Sequence, residues 1–222
     1  MSQGSHLFIS FRRCTFKQTI QPMSVSVQLP PNRSATLSFD RNLSLSEFTE
    51  FCALNPELVV EREPDGKITI MTPVGFLSGR RELRLGAYLT IWSVENGIGD
   101  TASSSTGFML PNSSVRSPDA VWISDERLAE VPEEELEGFP ALVPDFVAEI
   151  RSKSDDNRPL QSKMEETWMA QGVRLGWLID TYLGEIRIYR PNSDVEVLPV
   201  EGTVLSGEEV LPGFSFDLVL FS

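Results

Sequence analysis

Pro144-Asp145-Phe146-Val147-Ala148-Glu149-Ile150-Arg151 is an apolar run with a carboxylate set near its end. Its length and its apolar residues predict a buried strand. Side chains alternate along a strand, so Glu149 shares a face with Val147 and borders a buried surface. An unpaired ionised carboxylate in such a place is costly even after relaxation. A cation, from a side chain or a metal ion, normally offsets that cost. Arg151, on the same face as Glu149, is one available partner.

Upstream, Ser117-Pro118-Asp119-Ala120-Val121-Trp122-Ile123 repeats the pattern with the acid at the other end. Asp119 opens this strand and shares its face with Val121 and Ile123. If the two strands pair antiparallel, start meets end and Asp119 becomes a neighbour of Glu149. Two close carboxylates repel unless they share a proton or a cation. A hard divalent ion such as magnesium serves both, with water in the remaining positions. The plain alternative stays open: Asp after Pro is a common strand opener, and Glu149 pairs with Arg151.

Downstream, Pro159 to Gln171 reads as a helix with Gly172 as its stop. Leu160, Met164 and Trp168 form a stripe that packs on the sheet, and Lys163 borders it. From there its ammonium reaches back over the carboxylates, where it orients water and neutralises charge on a phosphate oxygen. Otherwise it is a lysine snorkelling at the surface. Glu82, near the start of an earlier helix, is a candidate auxiliary metal ligand or simply an acid at a helix N-terminus. Lys153 and Asp155 form either the lip of a site or a solvated loop.

The remaining elements fall into order around these. Ser44 to Leu54 predicts a short helix capped by Ser44 or Ser46 and stopped at Asn55-Pro56. Residues 58–63 and 67–71 predict a hairpin about Pro64-Asp65-Gly66. A longer helix runs from about Gly79 to Glu95, with Leu85, Tyr88, Leu89 and Trp92 at helical spacing. Residues 97–110 read as loop and short strand, and the acidic stretch 125–138 as surface helix. Val173 to Asp180 is a third buried strand, and residues 185–189 and 195–200 close the chain as a meander. The fold class is α/β, a mixed sheet flanked by helices, with one domain over 44–222. Residues 1–43 are expected to be a largely disordered extension, irregular over 24–43 and basic at the start, with Arg12, Arg13 and Lys17 and no acid before Met23.

Composition narrows the chemistry. The single histidine, His6, lies in that extension, which removes a Ser-His-Asp triad and a histidine zinc site. Cys14 and Cys52 have no metal-type spacing. No apolar run reaches the roughly eighteen residues of a membrane span, and the cytoplasm is the expected compartment. The net charge of −13 opposes tight binding of a phosphate backbone unless cations gather locally or metal ions supply charge.

Taken in order, Arg116-Ser117-Pro118-Asp119-Ala120, the run from Pro144 to Ser152, Lys163-Met164-Glu165-Glu166, the run from Gly172 to Asp180, and Leu211-Pro212-Gly213-Phe214 resemble the Uma-two family of restriction endonucleases, in the PD-(D/E)XK nuclease superfamily. The resemblance runs from about Leu45 to the C-terminus. It implies a restriction-endonuclease-like fold, a Mg2+ or Mn2+ cofactor, DNA as substrate and a homodimer. It also implies that Asp119 and Glu149 are the metal-binding acids and that the Ile150 carbonyl is a third ligand. Lys163 takes the place of the superfamily lysine, whose usual position holds Arg151, and Glu82 matches an acid of the first long helix. The chain departs from the family pattern at Lys153, where proline is frequent, and in the interval from Lys163 to Gly172, which is one residue longer than in many members. Two other functions stay open: a non-catalytic dimerising or binding module whose acids are satisfied by Arg151 and Lys163, and a hydrolase of small phosphoesters or carbonyl substrates.

Overall fold

The computed structural model describes residues 42–153 and 155–221, together with the backbone of three strands, β1 (Leu7–Ile9), β2 (Val25–Gln28) and β3 (Thr36–Ser38). The rest of the extension expected over 1–43 lies outside the described residues. Within 24–43, read from sequence as irregular, β2 and β3 pair antiparallel, Val27 opposite Leu37. Two compact units make up the chain, residues 1–73 with 113–115 and residues 74–112 with 116–222.

The first unit is built on the predicted hairpin. α1 (Leu45–Leu54) begins at Ser44, whose side chain accepts from the Glu47 N–H while Glu47 bonds back to the Ser44 backbone, a complete capping box. β4 (Val60–Arg62) and β5 (Ile68–Ile70) pair antiparallel, and β3 joins the β5 edge. Leu43, Phe48, Val60, Ile68 and Val115 are the buried apolar side chains among the described residues of this unit. Arg62 ties it together: its Nε and Nη2 donate to the Leu43 carbonyl at 3.2 and 2.8 Å, and its Nη1 to the Ser113 carbonyl.

The second unit holds the three strands read first. After α2 (Phe76–Asn96) come β6 (Asp100–Thr101), β7 (Phe108–Met109) and β9 (Ala120–Ile123); ahead of β9 runs β8 (Val115–Arg116), whose Val115 belongs to the first unit and lies opposite Arg62 of β4. Two short exposed helices, α3 (Asp125–Ala129) and α4 (Glu133–Leu136), occupy the acidic stretch as expected. β10 (Phe146–Ile150) then leads to α5 (Asn157–Ser162), which continues as a wide π-helical turn over Lys163–Trp168 and a 3₁₀ turn over Met169–Gln171. Gly172, at φ 107°, ends it. β11 (Leu175–Asp180), β12 (Glu185–Tyr189) and β13 (Glu196–Pro199) complete a sheet of order β13-β12-β11-β10-β9-β6. β10 and β11 run parallel, and every other neighbouring pair is antiparallel. The C-terminal hairpin of β14 (Val204–Ser206) and β15 (Ser215–Asp217) was not legible in the sequence.

Alternation puts each central strand into two cores. On one face Trp122, Phe146, Ala148, Ile150 and Trp177 meet Leu85, Leu89 and Trp92 of α2 and Phe214 and Phe216 of the C-terminal segment. On the other, Val121, Ile123, Val147 and Leu178 meet Met164 and Trp168 of the helix after β10. The result is a sheet between two helical layers. No helix of the described residues is long and apolar enough to cross a membrane.

Candidate active site

The antiparallel pairing of β9 and β10 is the observation on which the site depends. Ala120 lies opposite Ala148 and Val121 opposite Val147. One step further, the register carries Asp119 opposite Glu149, on the face of Val121 and Val147. Asp119 is half-buried, and its Oδ2 accepts from the Ile150 N–H at 2.6 Å. Because a strand residue turns its N–H and C=O to the same side, the Ile150 carbonyl points toward the β9 side as well.

Glu149 is 3% exposed and held from the opposite layer. Its Oε1 accepts from Trp168 Nε1 at 2.8 Å and lies 2.9 Å from Lys163 Nζ. Lys163 Nζ also donates to the Ser117 carbonyl at 3.1 Å, just ahead of Asp119. The π-helical turn makes this double contact possible. In an α-helix residues three and four apart share a face, whereas a π turn brings residues five apart into line. Lys163 and Trp168, five apart, therefore converge on one oxygen.

Arg151 goes elsewhere than the sequence reading allowed. Its Nη1 bonds Asp180 Oδ2 at 2.9 Å and its Nε donates to the Asp155 carbonyl at 3.0 Å. Parallel pairing explains this: Ile150 lies opposite Ile179, which brings Arg151 to Asp180. Asp145, buried at the head of β10, is likewise structural, with Arg127 and Arg174 each at 3.2 Å and the Ser124 N–H at 2.8 Å.

Charge accumulates around Asp119. Burial pushes its carboxyl well above the ordinary range, and the negative charges of Glu149 and Glu82 add to the rise, while the Ile150 N–H and Lys163 oppose it. Glu82, half-buried on α2, is raised first by burial and then by Glu149 and Asp155. Among the described residues no three His, Cys, Asp or Glu side chains form a metal-holding group. The oxygens that could serve a cation here are two carboxylates and a backbone carbonyl, with Glu82 feeling the charge of Glu149. Magnesium is commonly held by one or two carboxylates together with waters and substrate phosphates, so these residues fit it chemically. The rise at Asp119 comes first from burial and then from the two neighbouring acids, which Lys163 and the Ile150 N–H only partly oppose.

Mixed sheet order, flanking helices and a pair of acids meeting across β9 and β10 define a restriction-endonuclease-like fold. A solved structure described as "a putative nuclease belonging to DUF820", from Anabaena variabilis ATCC 29413, superposes with a TM-score of 0.65 at 18% identity, covering 81% of this chain and 97% of that one. The family model Uma2, described as "Putative restriction endonuclease", matches residues 45–219, and the chain belongs to that family. No curated protein matches the sequence.

Proposed function

We propose that this protein is a divalent-metal-dependent endonuclease that hydrolyses phosphodiester bonds in DNA. The observation that carries the proposal is the register of β9 on β10, which sets Asp119 opposite Glu149. Asp119, Glu149 and the Ile150 carbonyl would hold the ion, and Glu82 would act as an outer acid. Magnesium or manganese in that place supplies the positive charge that lets both acids ionise and makes bound water a better nucleophile. Lys163 holds Glu149 in place and, 3.1 Å from the Ser117 carbonyl, keeps an ammonium beside the position of a scissile phosphate. Trp168 fixes the Glu149 rotamer from beneath. Family membership supports nucleic acid as the substrate.

The Lys163–Glu149 ion pair also favours a second reading, a non-catalytic module in which the lysine satisfies the acid without a metal. Conversion of supercoiled plasmid to nicked circles separates the two. The nuclease reading expects nicking with magnesium or manganese, none in EDTA, and a loss of about 100-fold or more in Glu149→Gln, in keeping with removal of a group that stabilises the transition state. Intact plasmid after long incubation of the folded wild-type chain with either metal supports the module.

A further inference from the structure

We propose that Arg81, held against the ring of Tyr182 beside Arg151, binds a phosphate of the nucleic-acid strand next to the one that is cut; this rests on the nuclease reading above. The problem it answers is electrostatic. A chain of net charge −13 needs a local cation to grip a phosphate backbone. Most arginines near the sheet are already committed. Arg127 and Arg174 pair with Asp145, Arg190 with Glu196 and Glu208, and Arg151 with Asp180.

Arg81 differs. Its neighbours on α2 reach the C-terminal chain, Arg80 Nη2 to the Phe221 carbonyl at 3.4 Å and Arg84 Nη1 to the Leu220 carbonyl. Among the described residues Arg81 makes no such bond: its Nε and Nη1 are shielded from water without an acceptor. What it has is an aromatic face, with its guanidinium carbon 5.6 Å from the Tyr182 ring centroid. A guanidinium with two nitrogens shielded and unpaired, over a ring it shares with a second cation, is a binding group short of its anion.

The turn on which that group stacks stands at the sheet end that carries the acids, and it is pinned there. Arg151 lies 5.9 Å from the same ring. Asp180 Oδ1 accepts from the N–H groups of Tyr182 and Leu183 at 3.0 and 2.9 Å, so the turn after β11 is pinned. Because β10 and β11 are parallel, this turn stands at the sheet end that carries Glu149 and Ile150. Arg81 directly precedes Glu82, whose carboxyl feels the charge of Glu149. Tyr182 is 43% exposed, which opens the cluster to solvent. An aromatic ring with a stacked guanidinium is a combination that suits a nucleic-acid strand.

The test is fluorescence anisotropy of a labelled duplex oligonucleotide and of its single strand with the full chain in EDTA, at several salt concentrations. Wild type is expected to bind at least one probe. Arg81→Gln is expected to bind roughly five- to tenfold more weakly at 0.1 M salt, with the slope of log K against log salt smaller by about one. Arg81→Lys should restore the slope, which separates a lost contact from a misfolded variant, and Tyr182→Ala should weaken binding in the same direction. Arg190→Gln removes the same charge elsewhere and should leave the slope unchanged. Wild-type affinity and slope in Arg81→Gln overturn the site, and so does a wild-type chain that binds neither probe. Plasmid nicking measured in parallel distinguishes the failures: Arg81-dependent binding without nicking sinks the nuclease reading alone, and nicking with Arg81-independent binding sinks this site alone.

Discussion

Asp119 is the residue at which folding and function pull in opposite directions. Burial and two neighbouring acids make its folded-state carboxyl hold a proton more tightly than the unfolded chain does. Without metal, its contribution to stability is therefore fully present below the ordinary value of 3.8, and is lost as pH rises through the elevated folded-state value. Asp119→Asn should raise the metal-free melting temperature in alkaline buffer and flatten its decline as pH rises above 3.8; an unchanged profile would show that the acids do not repel as described. Trp168 is the complementary case. Trp168→Phe keeps an aromatic ring in the core but leaves a small void and deprives Glu149 Oε1 of its indole donor, 2.8 Å away in the intact protein. Hydrogen bonds to charged groups are worth about 1.5–3 kcal/mol, so urea denaturation should show a loss of that order, with weaker nicking. The Asp119–Glu149 pairing was legible because alternation and antiparallel register need only the strands. Trp168's second role was not, since residues five apart do not share a face of an α-helix, and Arg151 stayed open as a partner of Glu149 because nothing in the sequence shows that β11 lies parallel and offers Asp180.

At the scale of elements, the helix from α5 to Gly172 makes the sharpest claim. If its wide turn is one residue accommodated in an otherwise regular helix, removing exposed Glu166 should let it close to α geometry, with lysine and tryptophan four apart and still on one face. The deletion is expected to fold, to keep or increase its helical circular dichroism, and to melt near wild type; an unfolded product would contradict the reading. Gly99 sets a different constraint. At φ 57°, a Cβ there would stand 2.3 Å from the Ile123 carbonyl oxygen and 2.5 Å from the Trp122 ring. Gly99→Ala should destabilise by about 2–4 kcal/mol through left-handed backbone strain and overpacking where β6 meets β9, measured by denaturant titration. Most element positions followed from periodicity and stop signals: α1 starts at its capping serine, and β4, β5 and β9 to β12 fall inside the predicted runs. α2 begins earlier than Gly79, because Phe76 and Leu77 extend it on an exposed face that no apolar stripe marks. The pairing of β14 with β15 escaped because its strands are three residues each and are joined through a segment whose apolar residues pack inward.

At the scale of the whole molecule, an acidic chain needs positive charge to meet a phosphate substrate, and the ion proposed at the end of the sheet would supply it, held jointly by Asp119 and Glu149. Anything that binds only the folded state raises its melting point in proportion to RT ln(1 + [L]/Kd), about 2.7 kcal/mol at a hundred times Kd. The direct measurement is the melting temperature of wild type, Asp119→Asn and Glu149→Gln titrated with magnesium and manganese. A saturable rise of several degrees in wild type, absent in both variants, is the predicted result. A wild-type chain indifferent to both metals, or variants that respond as strongly as wild type, would contradict it.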